Sequence, residues 1–309
     1  KPKKLNENNH NELVNYISSR WDKWNDVRAH NLNANKAVEK LIFLSPDNAA
    51  KNKTVIPEIY EIKESYKAHL WKSWFSSLDS MFDVQGKSKA DHDNAVKQKA
   101  SLINTFREIN LPSKLEKGLD NWINKGEFIA FISWNTVIKQ YREKNLSYVS
   151  NKMPDCSPAC LDNQDAFVIS DDIDYDGPDV TIVPPEAFVF DPSKADDFDS
   201  CPKIYRSWAT YDQIASNKLY NNFKSLKNLS PDKFSHPQSV FNEDQMELLE
   251  YWGDVKLDDG TILKNYVVTL AARTKIIRFE KNPFILNPFV FAAFLEDPAS
   301  KRGISPLLV

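Results

Sequence analysis

A run of alternating carboxylates is the first stretch of this sequence whose residue types and spacing could do chemistry. Asp172, Asp174 and Asp176, followed by Gly177, match the first half of a calcium loop, in which alternate carboxylates converge on a hard cation. The second half does not match, because Val183 stands at the twelfth position, where a bidentate Glu is needed. We therefore expect a solvated acidic hairpin without a tight metal site, and keep a calcium-binding or adhesion module as an alternative function.

Three cysteines are a weaker candidate for a metal site. Cys156 and Cys160 are separated by three residues, and Cys201 lies far downstream. The nearest histidine that could complete a zinc site is His236, which lies in a polar insertion, and the spacing is not that of a zinc knuckle or ribbon. The pattern favours free thiols in a reducing compartment over a metal site or a disulfide scaffold.

The histidines and carboxylates form no recognisable catalytic arrangement. The five histidines lie in separate segments without a Ser/Asp or Cys partner pattern, and the sequence has no nucleophile elbow, zinc-protease helix, Walker loop or dinucleotide-binding glycine motif. We expect no catalytic residue, no cofactor and no enzymatic activity. A metal-dependent nucleic-acid-processing enzyme with an unrecognised carboxylate site is kept as a second alternative.

The composition limits the possible classes of protein. The 309 residues are enough for one large or two ordinary domains, and 8 Trp, 11 Tyr and 18 Phe are enough for a sizeable core. The net charge of -3 argues against a surface that coats nucleic acid, but it is compatible with a channel along which DNA slides. No apolar run approaches the ~20 residues that a membrane span needs, so we expect no membrane partner.

The N-terminal part of the chain shows apolar residues at helical spacing. Trp21 and Trp24 follow this period, which favours burial over a stacking platform for nucleic acid. A four-residue repeat begins at Ile62, and Ser88 and Ser113 are N-cap candidates for later helices. The predicted helices span residues 12–29, 58–82, 89–109 and 113–124.

After Gly126 the apolar spacing changes from four residues to two, which is typical of strands. Thr210 and Gln213 form a capping box that predicts a helix over residues 211–219. The pattern predicts an α+β fold with a helical region at residues 1–125 and a β-rich region at residues 126–309. The predicted strands span residues 127–139, 180–183, 187–190, 203–208, 248–255, 262–271, 272–280 and 288–295.

The stretch at residues 175–208, YDGPDVTIVPPEAFVFDPSKADDFDSCPKIYRSW, resembles the central part of the portal proteins of tailed bacteriophages, and in particular the large portals of short-tailed phages. The shared order is aromatic-Asp-Gly-Pro, strand, Pro-Glu, Asp-Pro, acidic loop, strand and Thr-capped helix. The strings LLEYWGD, NYVVTLA and KIIRFEKNPF resemble the last part of the portal wing domain. The resemblance covers residues 58–309 and rests on the order of its motifs. The matched residues are expected to be architectural, with Gly177, Pro185 and Pro192 as turn formers and Trp208 and Trp252 in the core.

The resemblance implies a structural protein of the virion. The chain is expected to be the N-terminal and wing part of a subunit of the portal, a ring of identical copies that sits at one capsid vertex, is a dodecamer by the resemblance, and is assembled in the host cytoplasm. The implied partners are the major capsid protein, the terminase packaging motor, the tail or adaptor proteins, and double-stranded DNA that passes through the channel. The stem, clip and crown are expected to follow Val309. The resemblance implies no covalent chemistry, since the packaging ATPase belongs to the terminase.

Overall fold

A computed structural model describes residues 7–42, 58–74, 77, 79, 81–88, 91–144, 167–228, 245–257, 259–284 and 286–308. The helices precede the strands, and the change falls at Gly126, which confirms the predicted α+β fold. The chain divides into two compact units. The bounds of these units differ from those of the helical and β-rich regions that the sequence predicts. The first unit comprises Lys1–Asp83, Asn110–Phe131 and Ile182–Val309, and the second comprises Val84–Ile109 and Ile132–Thr181.

Each predicted helix overlaps a described helix, but the ends differ. Helix α1 carries Trp21 and Trp24 on its buried side, as their spacing predicts; they are 1% and 4% exposed. Helix α5 begins with the predicted capping box, in which Thr210 and Gln213 exchange side-chain and backbone hydrogen bonds. The helices span α1 Glu7–Ile42, α2 Glu58–Trp74, α3 His92–Glu108, α4 Leu111–Lys125 and α5 Tyr211–Ser216.

The apolar stripe predicted for α2 is not its buried face. Ile62 and Tyr66 are exposed, whereas Lys63 is buried and pairs with Asp120 of α4 at 3.5 Å. A four-residue repeat rotates by about 40° at each step around a helix with 3.6 residues per turn, so the stripe leaves any one face. The helix ends at Trp74, before the predicted residue 82, and the side chain of Trp74 lies outside the described residues.

Both serine caps were predicted wrongly. The Ser88 hydroxyl donates to the Asp91 carboxylate at 2.7 Å instead of accepting from a backbone N–H, and α3 begins only at His92. Helix α4 begins at Leu111, before Ser113, because Pro is compatible with the first helical turn. Gly126 does end α4, with the positive φ of 74° that its position requires.

The first unit is built on a five-stranded antiparallel sheet in the order β3-β4-β5-β6-β7. One face packs on α1 through Ile204, Leu249 and Val268, and the other forms a second core cluster with Phe289 and the buried Trp252. Strand β7 begins after the predicted residue 272, because residues 272 and 273 turn at positive φ. The strands span β1 Glu127–Lys144, β2 Phe167–Ile182, β3 Phe188–Phe190, β4 Lys203–Thr210, β5 Gln245–Lys256, β6 Ile262–Ala271, β7 Lys275–Lys281, β8 Phe289–Ala293, β9 Leu295–Glu296 and β10 Gly303–Ile304.

The second unit consists of α3 and a long two-stranded ribbon formed by β1 and β2. Strand β1 pairs with β8 only over its first residues, from Glu127 to Phe131. From Ile132 onwards it pairs with β2, and both strands are much longer than the sequence predicts. Gly177 lies inside β2, so its predicted role as a turn former is wrong, whereas Pro185 and Pro192 each begin a short 3-10 turn as predicted.

Candidate assembly surface

The three carboxylates of the calcium-like string lie in the middle of β2. In an extended strand, alternate side chains share a face and stand about 7 Å apart, so Asp172, Asp174 and Asp176 form a row and do not converge on one point. In the part of the chain that the structure describes, no group of three or more His, Cys, Asp and Glu side chains could hold a metal ion. The loop geometry that the calcium alternative requires is therefore not formed by these residues.

Two of these carboxylates hold the ribbon together. The Thr136 hydroxyl and the Trp134 indole N–H donate to Asp176 at 2.7 and 2.8 Å, and these hydrogen bonds hold the pKa of Asp176 below its usual value. Lys139 lies 2.8 Å from Asp174, and this partner raises the pKa of Lys139. These contacts join β1 to β2.

The ribbon exposes large apolar side chains. Trp134 contacts Asp176 of β2, and Ile132, two residues before it on β1, points the same way as Trp134. Ile169 and Ile173 lie four residues apart on β2 and therefore point the same way as each other. All four are at least 42% exposed, and Ile169 reaches 68%. Exposed apolar surface of this kind is typical of an interaction site.

Among the described strands, the outer edges of the ribbon have no pairing partner. Strand β2 is the outer strand of its sheet, and β1 has only β2 beside it beyond Phe131 among the described strands. A two-stranded ribbon is at best marginally stable in water without a third strand or a covering surface. The exposed backbone edges and the exposed apolar side chains of the ribbon are therefore surfaces suited to a binding partner.

The first unit buries charged groups that serve its architecture. Arg302 donates to the Glu127 carboxylate at 2.6 Å and stacks over the Phe190 ring at 4.7 Å, while the Gly303 N–H donates to the other Glu127 oxygen. Burial raises the pKa of Glu127, although Arg302 and the Gly303 N–H act in the opposite direction. Arg28 of α1 donates to a nearby backbone carbonyl, and burial lowers its pKa to about 10. The network closes the chain's C-terminal turn onto α1 and β1.

A second charged cluster joins α1 to the five-stranded sheet. Arg273 lies 2.7 Å from Glu247 and 2.8 Å from Asp22, and the Arg206 guanidinium lies over the Trp21 ring at 4.9 Å. Burial lowers the pKa of Arg206, although Glu247 acts in the opposite direction. These charged side chains are paired within the fold, so their role is structural.

Cys201 is the described member of the cysteine set, and Cys156, Cys160 and His236 lie outside the described residues. Its buried thiol donates to the Asp191 carbonyl at 3.3 Å, and burial raises its pKa to about 11, which makes it a poor nucleophile. Burial also lowers the pKa of Lys203 to about 8, and its ammonium donates to the Cys201 carbonyl at 2.7 Å. Both groups make contacts that close the acidic loop over residues 192–200.

A cavity of about 400 Å³ in the first unit has aromatic walls that include Phe190, Phe198 and Phe291. Lys301 crosses its rim and pairs with Asp196 and Glu296 at 3.0 and 3.1 Å. These two carboxylates raise the pKa of Lys301, so its amine stays protonated at neutral pH and is not activated as a nucleophile.

No family model and no curated protein matches this sequence. No helix among the described residues is long and apolar enough to cross a bilayer. Among the described residues, the strongest candidate functional feature is the β1–β2 ribbon with its exposed apolar side chains. The sequence did not predict this ribbon, because the Asp-rich run of β2 has the composition of a solvated turn. Ile169 and Ile173, which interrupt that run, are the signal that could have indicated a strand.

Proposed function

We propose that this chain is the N-terminal and wing part of a portal subunit, a structural virion protein without enzymatic activity. Copies of the subunit form a ring, a dodecamer by its resemblance to the family, at one capsid vertex. The ring passes double-stranded DNA during packaging and ejection. It contacts the major capsid protein, the terminase motor and the tail or adaptor proteins, and it is assembled in the host cytoplasm.

The observation that carries this proposal is the β1–β2 ribbon. Four large exposed apolar side chains on the ribbon favour a protein that works by association with other protein surfaces over one that acts on a small substrate. Two further features support the proposal. Helices give way to antiparallel strands at Gly126, in the order that the resemblance implies. The acidic balance suits contact with protein and a channel that releases DNA.

The test is the quaternary structure of the complete subunit. We expect one large homogeneous species in sedimentation and rings with a central hole in negative-stain images, with antibody labelling at a single vertex of the virion. A monomer at micromolar concentration, together with virions that lack the protein at the vertex, would contradict the proposal. Calcium binding in a calorimetric titration, or magnesium-dependent nuclease activity lost on replacement of one Asp, would instead support the alternatives.

A further inference from the structure

We infer that a cleft in the first unit, between the start of α1, the segment at residues 221–225 and the start of β7, binds the phosphate group of a nucleotide. The inference goes beyond the proposed function, and it does not depend on whether the chain forms a ring. The cleft has a volume of about 630 Å³. This volume is within the range of about 300–1,000 Å³ that is usual for ligand sites in proteins.

The hydrogen-bonding groups of the cleft are the first argument. Lys224 and Lys275 each bring an ammonium group, Ser225 brings a hydroxyl, and Asn221 and Asn222 bring amide N–H groups. No carboxylate is among the described residues that line the cleft. A lining in which every polar side chain can donate a hydrogen bond fits an anion, and phosphate oxygens accept several such bonds at once.

His10, on the α1 side of the cleft, supplies a further donor. Its Nε2 accepts a hydrogen bond from the Ile276 backbone N–H at 3.2 Å. A ring nitrogen that accepts carries no proton, so the proton of the neutral imidazole is on Nδ1. This contact joins α1 to β7 and leaves the Nδ1–H as a donor in a residue that lines the cleft.

The charge of this region is the second argument, because it is opposite to that of the whole chain. The chain has a net charge of -3, whereas residues 217–228 contain three lysines and no acidic residue. Lys275 adds a positive charge and Glu7, at the start of α1, removes one. Further along β7, Arg278 and Glu280 pair with each other. The region therefore remains positive.

The two lysines of the cleft are available to a ligand. Lys224 and Lys275 are exposed and form no ion pair with a carboxylate in the described part of the chain. Lys301 and Arg302 of the same unit, in contrast, are paired with carboxylates of the fold. A bound phosphate would supply the partner that the fold does not give to these two ammonium groups.

Phe223 gives the cleft an apolar wall beside these donors. Its ring contacts the Tyr211 ring at 6.2 Å and packs against the core cluster that contains Ile214 and Leu226, so its position is fixed by the fold. Aromatic rings next to cationic side chains bind nucleotides, since the base stacks on the ring while the phosphate pairs with the cations. A nucleotide therefore uses more of this lining than a bare phosphate ion does.

A free nucleotide and the backbone of a nucleic acid both present this chemistry, and two probes distinguish them. The complete subunit is titrated in a calorimeter with ATP and, separately, with a short single-stranded thymidine oligonucleotide that has hydroxyl ends. Binding of ATP without the oligonucleotide identifies a free nucleotide as the ligand. Binding of the oligonucleotide identifies the phosphate backbone of a nucleic acid.

The test variant carries Lys224→Gln and Lys275→Gln. We expect it to bind the probe at least about tenfold more weakly, because two charge-assisted hydrogen bonds are lost. The matched control, Lys256→Gln with Lys281→Gln, removes the same charge from exposed lysines at the other end of the five-stranded sheet, about 20 Å from Lys275 along β7. It is expected to change the affinity less than about twofold, since salt screens charges at that distance.

A covalent probe locates the site independently of these substitutions. Irradiated 8-azido-ATP is expected to label the peptide that contains Phe223, as read by mass spectrometry, and excess ATP is expected to prevent the labelling. Circular dichroism checks that both variants are folded.

Three results would overturn the inference. They are no binding of either probe at about 1 mM, equal losses of affinity in the test variant and the control, and photolabelling confined to other segments. Each of these leaves the portal proposal intact, because that proposal is tested by the sedimentation of the complete subunit and its position in the virion.

Discussion

Replacing Arg302 by methionine is expected to lower the free energy of unfolding by about 3–5 kcal/mol near neutral pH. The Arg302 and Glu127 side chains are only 3% and 4% exposed and lie 2.6 Å apart. Methionine fills most of the space but leaves the Glu127 carboxylate buried without its cation. The Gly303 N–H, 3.1 Å from a Glu127 oxygen, then remains as a hydrogen-bond donor to that carboxylate.

The loss is expected to depend on pH. Burial already raises the pKa of Glu127, and removing Arg302 removes the largest opposing influence, so the pKa rises further in the variant. A carboxyl whose pKa is higher in the folded state favours folding at low pH, and this contribution is lost as the pH rises through the folded pKa. The deficit of the variant relative to the unaltered protein is therefore largest near ~pH 8 and shrinks towards ~pH 5.

Urea unfolding followed by tryptophan fluorescence at several pH values measures both effects. The neighbouring Lys301→Met is the matched control, and it is expected to change stability little, because Lys301 makes only surface ion pairs with Asp196 and Glu296. Adding Glu127→Gln to Arg302→Met is expected to recover part of the loss, since the buried carboxylate that lost its cation is removed. A deficit below about 1 kcal/mol, or one independent of pH, would refute the reasoning.

Three further predictions concern backbone geometry, capping and buried titratable groups. Gly126→Ala is expected to destabilise the protein more than Gly260→Ala in thermal unfolding; both have positive φ, but a Cβ at Gly126 would lie 2.4 Å from the Ile304 backbone, whereas Gly260 has open space. Equal losses would contradict this account. Thr210→Ala is expected to cost about 1 kcal/mol through loss of the capping box, and Thr210→Ser to cost less. Since burial lowers the pKa of Lys203 to about 8, its contribution to stability is expected to rise with pH between about 8 and 10.5; Lys203→Met removes this rise, and an unchanged pH profile would refute it.

The sequence predicts those parts of the fold that local pattern determines. Trp21 and Trp24 are buried because their helical period matches one face of α1. Thr210 caps α5 because the capping box is formed by residues only three positions apart. The strands from β4 to β7 follow the alternation of their own side chains, and their predicted bounds differ from the observed ones by a few residues.

The sequence does not predict those features of the structure that depend on contacts between residues far apart in the chain. Arg302 and Glu127 are 175 positions apart, so no local pattern shows that they neutralise each other in the core. The Asp-rich part of β2 has low strand propensity, and it is extended because β1 supplies its hydrogen-bond partners together with Trp134 and Lys139. The four-residue apolar repeat from Ile62 does not indicate which side chains of α2 are buried, because α2 contacts α4 through ion pairs.

The two units of the chain differ in which side chains they bury: the first buries charged ones, and the second exposes apolar ones. This difference bears on function. The first unit buries charged side chains such as Arg302 and Glu127 in paired networks, which make its core specific to one arrangement of α1, β1 and the C-terminal turn. The second exposes Trp134 and Ile169 on a ribbon whose described residues beyond Phe131 belong to none of the three core clusters. Exposing those side chains costs hydrophobic free energy, and a surface that covers them recovers it. The ribbon is therefore the part of the described chain on which the proposed assembly is best tested.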